Sequence, residues 1–290
     1  RGDYGKISIN GGLCMQQIKF TKMHGCGNDY IYFNCFKYAI EDPAKLSIIL
    51  SDRHKSIGGD GIVLICPSDV ADAKMRMFNI DGSEGKMCGN AIRCVGKYLY
   101  ENNIVKKTNI VIETLSGLKY LELYASGEEV YKVKVNMGKA EFEPEKIPVI
   151  SADGKPIIGR DADIAGGSYG ITAVSMGNPH CVVYTDNVSD FDVTGIGPKF
   201  EFDKMFPERV NTEFIEVISP TELKMRVWER GSGETWACGT GACAAVAASC
   251  ENGICPKDTD VTVRLTGGDL VIRYTSDKTV FMTGEAVIAF

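Results

Sequence analysis

The sequence has few of the features that mark membrane, secreted or nucleic-acid-binding proteins. Its apolar runs fall well short of the roughly 20 residues that cross a bilayer, and its first residues do not read as a secretory leader. The formal net charge is -6, and no long basic run is present to attract a polyanion. We therefore expect a cytoplasmic protein that binds small molecules rather than nucleic acid or a membrane.

Metal-binding and redox spacings are also missing from the sequence. The chain has eleven cysteines and three histidines but no Cys-x-x-Cys pair, so we expect neither a zinc ribbon nor a thioredoxin-type site. A chain of 290 residues is long enough to bury a core without disulfides. We expect no metal site, and we expect most cysteines to be small buried side chains, among them Cys94, Cys181, Cys243 and Cys250.

Strand-like alternation dominates the chain, as in KFTKM, YKVKVN and LKMRVW, with Gly, Asn and Asp turns between the runs. Helical patterns are few and short, and the clearest cover 43–50, 88–101 and 239–251. The last two end in Asn102-Asn103 and Asn252-Gly253, which suit left-handed caps. These patterns predict an α+β fold with mixed sheets.

The chain contains an internal repeat with an offset of 150 residues. "MCGNAIRC" corresponds to "ACGTGACA", which places Cys88 and Cys238 150 positions apart. The same offset carries Asn28 onto Asn178 and Asn79 onto Glu229. Three landmarks in one register predict two similar domains that face each other across a cleft, a favoured place for a ligand site.

The domain boundaries follow from a change in composition. The chain becomes charged and proline-bearing around 137–148, so we assign one domain to 15–136 and a second to 137–279. The final strand, 280–290, can join the first domain. Residues 1–14 resemble no core element and are expected to be a leader or an expression remnant, with Met15 as the natural start.

Cys88 and Cys238 each stand directly before a predicted helix. Unpaired N-H groups and the helix dipole favour a thiolate there, and Gly89 and Gly239 leave room for a carboxylate to approach the same N-H groups. Two thiols on opposite sides of one carbon could remove a proton from one face and return another to the opposite face without a cofactor. This pattern favours an enzyme that inverts a stereocentre, and it also predicts that oxidation can join Cys88 to Cys238.

At these residues the sequence resembles the diaminopimelate epimerase family. The resemblance implies a cofactor-independent isomerase that interconverts LL- and meso-2,6-diaminopimelate for lysine and peptidoglycan synthesis. It also implies two pseudo-symmetric domains, each a mixed β-sheet wrapped around a central α-helix, and a homodimer. Its motifs lie along nearly all of the chain from Met15: "MHGCGNDY", "DRHKSIGGDGIVLI", "FNIDGSEGKMCGNAIRC", "SMGNPHCV", "ERVNTEF" and "ERGSGETWACGTGACAA".

The resemblance also assigns site residues. It makes Cys88 and Cys238 the catalytic pair, with His180 and Glu229 tuning their protonation. It implies substrate contacts at Asn28, Asn79, Gly89, Asn90, Asn178, Asn211, Glu229, Arg230, Gly239 and Thr240.

One position departs from the family pattern. Gly61 stands where many members carry a substrate-contacting glutamine, so we leave Gly61 out of the site. The internal repeat pairs this position with Asn211.

Arg230 separates the leading hypothesis from its nearest alternative. A guanidinium group can bind the second carboxylate of a diamino diacid in bidentate fashion, whereas a proline racemase, which also uses two cysteines, needs no such group. A non-catalytic amino-acid-binding protein and a cysteine-based redox or metal module remain alternatives of other classes.

Overall fold

The structure is a computed structural model that describes residues 5–11 and 14–290, with side chains from residue 17 onward. The chain divides into two compact units. Unit 1 comprises Arg1–Val135 with Gly284–Phe290, and unit 2 comprises Asn136–Thr283.

The first unit is built from strands and two helices. Its helices are α1 (Pro43–Leu50) and α2 (Gly89–Glu101). Its strands are β1 (Gly5–Gly11), β2 (Cys14–Gly25), β3 (Asn28–Asn34), β4 (Gly61–Cys66), β5 (Ala73–Asn79), β6 (Glu84–Gly85), β7 (Asn109–Thr114), β8 (Gly117–Ser126) and β9 (Glu129–Lys139), with a short β19 (Val287–Ile288) at the end of the chain.

The second unit is also built mainly from strands, with two α-helices. It contains a 3₁₀ turn, η1 (Pro144–Lys146), and the helices α3 (Val193–Glu201) and α4 (Gly239–Glu251). Its strands are β10 (Arg160–Ile164), β11 (Gly167–Ser175), β12 (Pro179–Tyr184), β13 (Asn211–Ser219), β14 (Glu222–Glu229), β15 (Gly233–Thr235), β16 (Asp260–Leu265), β17 (Gly268–Tyr274) and β18 (Thr279–Gly284).

Strand pairing follows one pattern in both units. In unit 1, β2, β3, β4 and β5 are neighbours in that order, with β3–β4 parallel, and β5 also pairs in parallel with β7. In unit 2, β11, β12, β13 and β14 repeat this order with β12–β13 parallel, and β14 pairs in parallel with β16. The sheets are therefore mixed, and the predicted α+β class is confirmed.

The two helices that begin beside Cys88 and Cys238 lie in the cores of their units. Helix α4 is rich in alanine, and its residues 241–250 are nearly all fully buried against the surrounding strands. A helix that is apolar on every side is stable only when it is enclosed. Helix α2 contains Arg93, whose side chain is fully buried. Arg93 donates to the carbonyl oxygens of Gly89 (3.1 Å) and Glu285 (3.2 Å).

The predicted helix bounds are confirmed for α1, α2 and α4 to within one residue. The predicted left-handed caps are also confirmed, since Asn103 has φ 57° and Gly253 has φ 73°. The sequence analysis missed α3, where two glycines and Pro198 weaken the helical pattern. Gly197 is required there because a Cβ would lie 2.5 Å from the Trp228 side chain.

The segment expected to be a loose leader is partly paired in the structure. Residues 5–11 form β1, antiparallel to β2, with Gly5 opposite Phe20. The expectation that residues 1–14 are a leader or an expression remnant stays a prediction, and residues 1–4 and 12–13 lie outside the described residues. Among the described residues, no helix is both long and apolar enough to span a membrane.

Candidate active site

Each unit has a cysteine as the N-cap of its buried helix. The Cys88 sulfur accepts a hydrogen bond from Ala91 N at 3.5 Å, and the Cys238 sulfur accepts one from Gly241 N at 3.3 Å. Both cysteines have the extended backbone of an N-cap residue. Each sulfur accepts a hydrogen bond from a backbone N-H group that has no partner within the helix. The prediction that each cysteine stands at a helix start is confirmed.

Cys88 lies among amide side chains in unit 1. Its thiol donates to Asn28 Oδ1 at 3.4 Å, and Asn90 Nδ2 approaches the same oxygen at 3.5 Å. Asn90 is 3% exposed, and its Oδ1 accepts no hydrogen bond from the described part of the chain. These groups offer a substrate both amide donors and an unused amide acceptor beside the sulfur.

Asn28 is held in place by a carboxylate that the sequence analysis did not select. Its Nδ2 donates to Asp60 Oδ2 at 2.7 Å, and Asp29 N donates to the same oxygen at 3.0 Å. Arg53 bridges Asp29 and Asp60 with Nη2–Oδ1 distances of 2.6 and 3.0 Å, and the pKa of Asp29 is below its usual value because Arg53 and Lys22 oppose the effect of burial. The turn before β4 therefore fixes the amide that contacts Cys88.

Gly61 begins β4 in a backbone conformation that excludes a side chain. Its φ is +150°, and a Cβ would lie 2.0 Å from the carbonyl oxygen of Phe78. No residue with a side chain fits this backbone without moving β5. Whether Gly61 belongs to the site is not tested by this geometry, so its omission from the site stays a prediction.

Cys238 is the more deeply buried of the two cysteines and has hydroxyl and amide neighbours. It is 5% exposed, and its sulfur lies 3.5 Å from Thr240 Oγ1. Asn178 Nδ2 donates to that hydroxyl at 3.4 Å, while Asn178 Oδ1 lies 3.0 Å from His180 Nε2. A chain of hydrogen bonds therefore runs from Cys238 through Thr240 and Asn178 to His180.

His180 is completely buried and paired with a buried carboxylate. Its Nδ1 lies 2.7 Å from Glu213 Oε1, and both side chains are 0% exposed. Burial raises the pKa of Glu213, and the charge and hydrogen bond of His180 act in the opposite direction. Glu213 Oε2 has no hydrogen-bond partner among the described residues.

The surroundings of Cys238 oppose the thiolate form. Burial raises the pKa of Cys238 well above its usual value, and the carboxylates of Glu229 and Glu213 raise it further, while the Thr240 hydroxyl and Gly241 N-H act in the opposite direction. At Cys238 the N-H group of the helix start acts in the expected direction, toward the thiolate, but it does not decide the balance. Desolvation and two nearby carboxylates outweigh the helix terminus.

Arg230 and Asn211 lie together at the ends of β14 and β13. Arg230 N donates to Asn211 Oδ1 at 2.9 Å, and Arg230 Nη1 donates to the carbonyl oxygen of Glu208 at 2.8 Å. Asn211 is anchored because its Nδ2 donates to the carbonyl oxygen of Pro179 at 2.8 Å. The guanidinium group is only partly buried, so a carboxylate can reach its remaining N-H groups.

Two other predicted site residues, Asn79 and Glu229, have hydrogen bonds to side chains close to them in the sequence. Asn79 Nδ2 donates to Ser83 Oγ at 3.0 Å within the turn after β5. Glu229 Oε1 accepts a hydrogen bond from Thr235 Oγ1, which orients the carboxylate whose charge reaches Cys238. Gly89 and Gly239 are the first residues of α2 and α4, as their place after each cysteine predicts.

The sequence analysis missed Glu213 and Asp60. A carboxylate inside the strand-like stretch VNTEFI is the signal that could have identified Glu213, because a buried strand tolerates such a group only with a partner. Asp60 lies in a glycine-rich turn, where its residue type alone indicates no special role. Among the described residues, no group of three or more His, Cys, Asp or Glu side chains is placed to hold a metal ion.

Comparison with known proteins gives a consistent result. A family model described as diaminopimelate epimerase matches residues 20–143 and 172–289. A diaminopimelate epimerase of Agathobacter rectalis is 52% identical over 94% of this chain and 98% of its own, and one of Acetivibrio thermocellus is 53% identical over 94% and 97%. A solved structure of a probable proline racemase from Agrobacterium radiobacter K84 has a TM-score of 0.65 at 15% identity and covers 93% of this chain and 90% of its own, a likeness of fold alone.

Proposed function

Since the chain belongs to the diaminopimelate epimerase family, we propose that it interconverts LL- and meso-2,6-diaminopimelate without a bound cofactor. The observation that carries the proposal is the repeated N-cap cysteine. Each unit places one sulfur at the start of a buried helix and one asparagine side chain nearby, Asn28 in unit 1 and Asn178 in unit 2. A reaction that treats the two faces of one carbon alike needs two such groups.

The proposed reaction requires one base and one acid at the same time. One cysteine, as thiolate, takes the α-proton, and the other, as thiol, gives a proton to the opposite face of the carbon. We propose that Cys238 is the proton donor in the resting enzyme, because its surroundings keep the sulfur protonated. Cys88 then supplies the base, and the roles reverse when the other stereoisomer is the substrate.

The helix starts support the proposal because they can hold the charge that develops. The α-carboxylate of the substrate would accept hydrogen bonds from N-H groups at Gly89, Asn90, Gly239 and Thr240. Negative charge that spreads onto the carboxylate as the proton leaves is stabilised by these groups. We propose that Arg230 binds the distal carboxylate and that Asn79 and Asn211 contact the same end of the substrate.

His180, Glu213 and Glu229 would act through Cys238. The hydrogen-bond chain from His180 to Thr240 fixes the hydroxyl that faces the sulfur, and the two carboxylates hold the thiol in its protonated form. These residues are positioning residues in this proposal, with no direct contact to the reacting carbon.

The test is an assay of the purified protein with LL-diaminopimelate, in which the stereoisomers are separated and counted. We expect the wild type to produce the meso isomer, and we expect Cys88→Ala and Cys238→Ala each to lose activity by about 10³-fold or more. Cys94→Ala, which alters a buried thiol in the same helix as Gly89, serves as the control and should keep its activity. Full activity in either N-cap variant, or turnover of L-proline in place of diaminopimelate, would refute the proposal.

We also propose that the enzyme works in the cytoplasm as a homodimer. The proposal of a dimer follows from membership of the family. Tyr120 on β8 is 56% exposed, which makes it a suitable position for a substitution that tests a contact there. The molar mass in solution, measured by light scattering for the wild type and for Tyr120→Glu, tests this: a dimer that the substitution dissociates supports it, and a wild-type monomer contradicts it.

A further inference from the structure

Two cysteines outside the candidate active site are neighbours across a parallel strand pair. Strand β3 runs parallel to β4 with Asn34 opposite Ile65, and Cys35 N donates to the carbonyl oxygen of Ile65 at 2.8 Å. The next residues in this register are Cys35 and Cys66. Neighbouring strands lie about 4.8 Å apart, which is within the Cα separation of about 4.4–6.8 Å that a disulfide spans.

The two thiols also lie on the same face of the sheet. Side chains alternate along a strand, so Cys35 continues the row of Ile31 and Phe33, and Cys66 continues the row of Ile62 and Leu64. Those four apolar residues form one cluster, and both cysteines pack against it. Both cysteines remain partly exposed, so a small oxidant can reach them.

Cations lie next to this pair on the neighbouring strand. Lys74 is opposite Cys66 in the β4–β5 register, and Arg76 is opposite Leu64 on the same row. The hydrogen bond from the Cys35 thiol, together with Arg76 and Lys74, lowers the pKa of Cys66 against the effects of burial and of Glu84. The same hydrogen bond raises the pKa of Cys35. Because Lys74 stands opposite Cys66 in the register, Cys66 is the better placed nucleophile, and Cys35 is the second thiol.

We propose that Cys35 and Cys66 form a redox-active dithiol that a hydroperoxide converts to a disulfide. The Cys66 thiolate attacks the O–O bond, so an S–O bond forms and hydroxide leaves. The Cys35 thiol then attacks the sulfenic sulfur, an S–S bond forms, and water leaves with the thiol proton. Two thiols are oxidised, and one hydrogen peroxide is reduced to two molecules of water once the hydroxide is protonated.

This site is separate from the epimerase chemistry. Cys35 follows the end of β3, whereas Asn28, which contacts Cys88, lies at its start, roughly 20 Å away along the strand. The disulfide would close a loop that contains α1 and the turn with Asp60. Because a closed loop restricts the unfolded chain, oxidation should raise the melting temperature by roughly 5 °C.

The chain provides a matched control pair in unit 2. Cys250 and Cys255 are near each other but only 6 and 5% exposed. Burial raises the pKa of Cys250 to about 12 and that of Cys255 to about 11, so both stay protonated near neutral pH. Cys250 and Cys255 are close together, but an oxidant cannot reach them and neither forms a thiolate. We therefore expect this pair to stay reduced.

The test treats the reduced full-length protein with a stoichiometric amount of hydrogen peroxide near neutral pH, blocks the remaining thiols and maps the peptides by mass spectrometry. We expect a Cys35–Cys66 peptide that dithiothreitol releases, with Cys250 and Cys255 alkylated. Two alkylated thiols at 35 and 66, or a Cys250–Cys255 link formed at the same rate, would overturn the proposal. A Cys88–Cys238 link as the sole product would overturn it as well.

A second arm tests which sulfur reacts first. In Cys35→Ser, a sulfenic acid on Cys66 has no resolving thiol, so dimedone should label Cys66. In Cys66→Ser, labelling of Cys35 should fall at least about tenfold, and equal labelling of the two variants would contradict the assignment of the nucleophile. Neither arm uses epimerase activity as a readout, so the result stands whether or not the proposed function is correct.

Discussion

The two N-cap cysteines have the same backbone setting but neighbours of different charge. The Cys88 thiol donates to the neutral amide of Asn28, which Asn90 also approaches. Around Cys238 the repeat replaces Tyr30, Val63 and Asn79 of unit 1 by His180, Glu213 and Glu229. The first two of these replacements form a buried pair, and both carboxylates raise the pKa of Cys238.

This difference indicates that the repeat preserves positions and not charges. A helix start and a preceding strand are enough to place a sulfur, but its protonation depends on which side chains the neighbouring strands bury beside it. The pKa of Cys238 is raised in this way, and the proposed reaction needs one acid and one base at the same time.

The largest expected effect concerns the position where unit 1 has Gly61 and unit 2 has Asn211. Gly61→Ala would place a Cβ 2.0 Å from the Phe78 carbonyl oxygen in a strained backbone region, so we expect unit 1 to lose more than about 3 kcal/mol of stability. Gly127→Ala, also at positive φ but with no atom within 4 Å, should cost only about 1 kcal/mol. Denaturant unfolding measures both, and equal losses would show that contact with β5 is unimportant.

The second prediction uses the difference between Arg230 and its counterpart in unit 1, the exposed Ile80. Arg230→Lys keeps the charge but loses the bidentate geometry, so kcat/KM for diaminopimelate should fall about 100-fold. Ile80→Ala should leave steady-state kinetics nearly unchanged. Unaltered kinetics in Arg230→Lys would remove the role proposed for its guanidinium group.

The third prediction concerns Glu213, whose counterpart is Val63. Because burial raises its pKa in the folded protein, the stability linked to its protonation is complete below the ordinary value of 4.5 and is lost as pH rises through the raised value. The glutamine in Glu213→Gln does not titrate. Between acidic and neutral pH, the free energy of unfolding of this variant should therefore fall less than that of the wild type, by about 1 kcal/mol or more. The exposed Glu128→Gln serves as control, and parallel pH profiles for wild type and Glu213→Gln would contradict the burial argument.

The smallest effect is expected at Asp60, which corresponds to Val210 in unit 2. Asp60→Asn keeps the size of the side chain but weakens the hydrogen bond from Asn28 Nδ2 and the ion pair with Arg53. We expect kcat/KM to fall by roughly 3- to 10-fold with little change in stability, because the affected ion pair is exposed. A loss as large as that of Cys88→Ala would mean that Asp60 has a more direct role.

Local patterns predicted the helices with clear starts and the cysteine positions. Pro43 after Asp42, and Gly89 and Gly239 after cysteines, are start signals that depend on a few neighbouring residues. Helix α3 lacks such a pattern, yet it begins at Val193, 150 residues after Pro43, so the internal repeat could have revealed it.

The electrostatics of the site could not be predicted in the same way. The pairing of His180 with Glu213 depends on the parallel register of β12 and β13, which brings together residues that are 33 positions apart in the chain. The pKa of Cys238 depends on burial and on the carboxylates of Glu229 from β14 and Glu213 from β13. Both are consequences of tertiary packing, which sequence spacing does not encode locally.

The most direct test of paired cysteines is the early reaction of LL-diaminopimelate in deuterated water. If Cys88 and Cys238 act on opposite faces, the meso product should carry one deuterium at the inverted carbon while the remaining LL substrate carries none. Equal deuterium in substrate and product from the start would indicate a single base that exchanges with solvent, and the account of two cysteines with different protonation would be wrong.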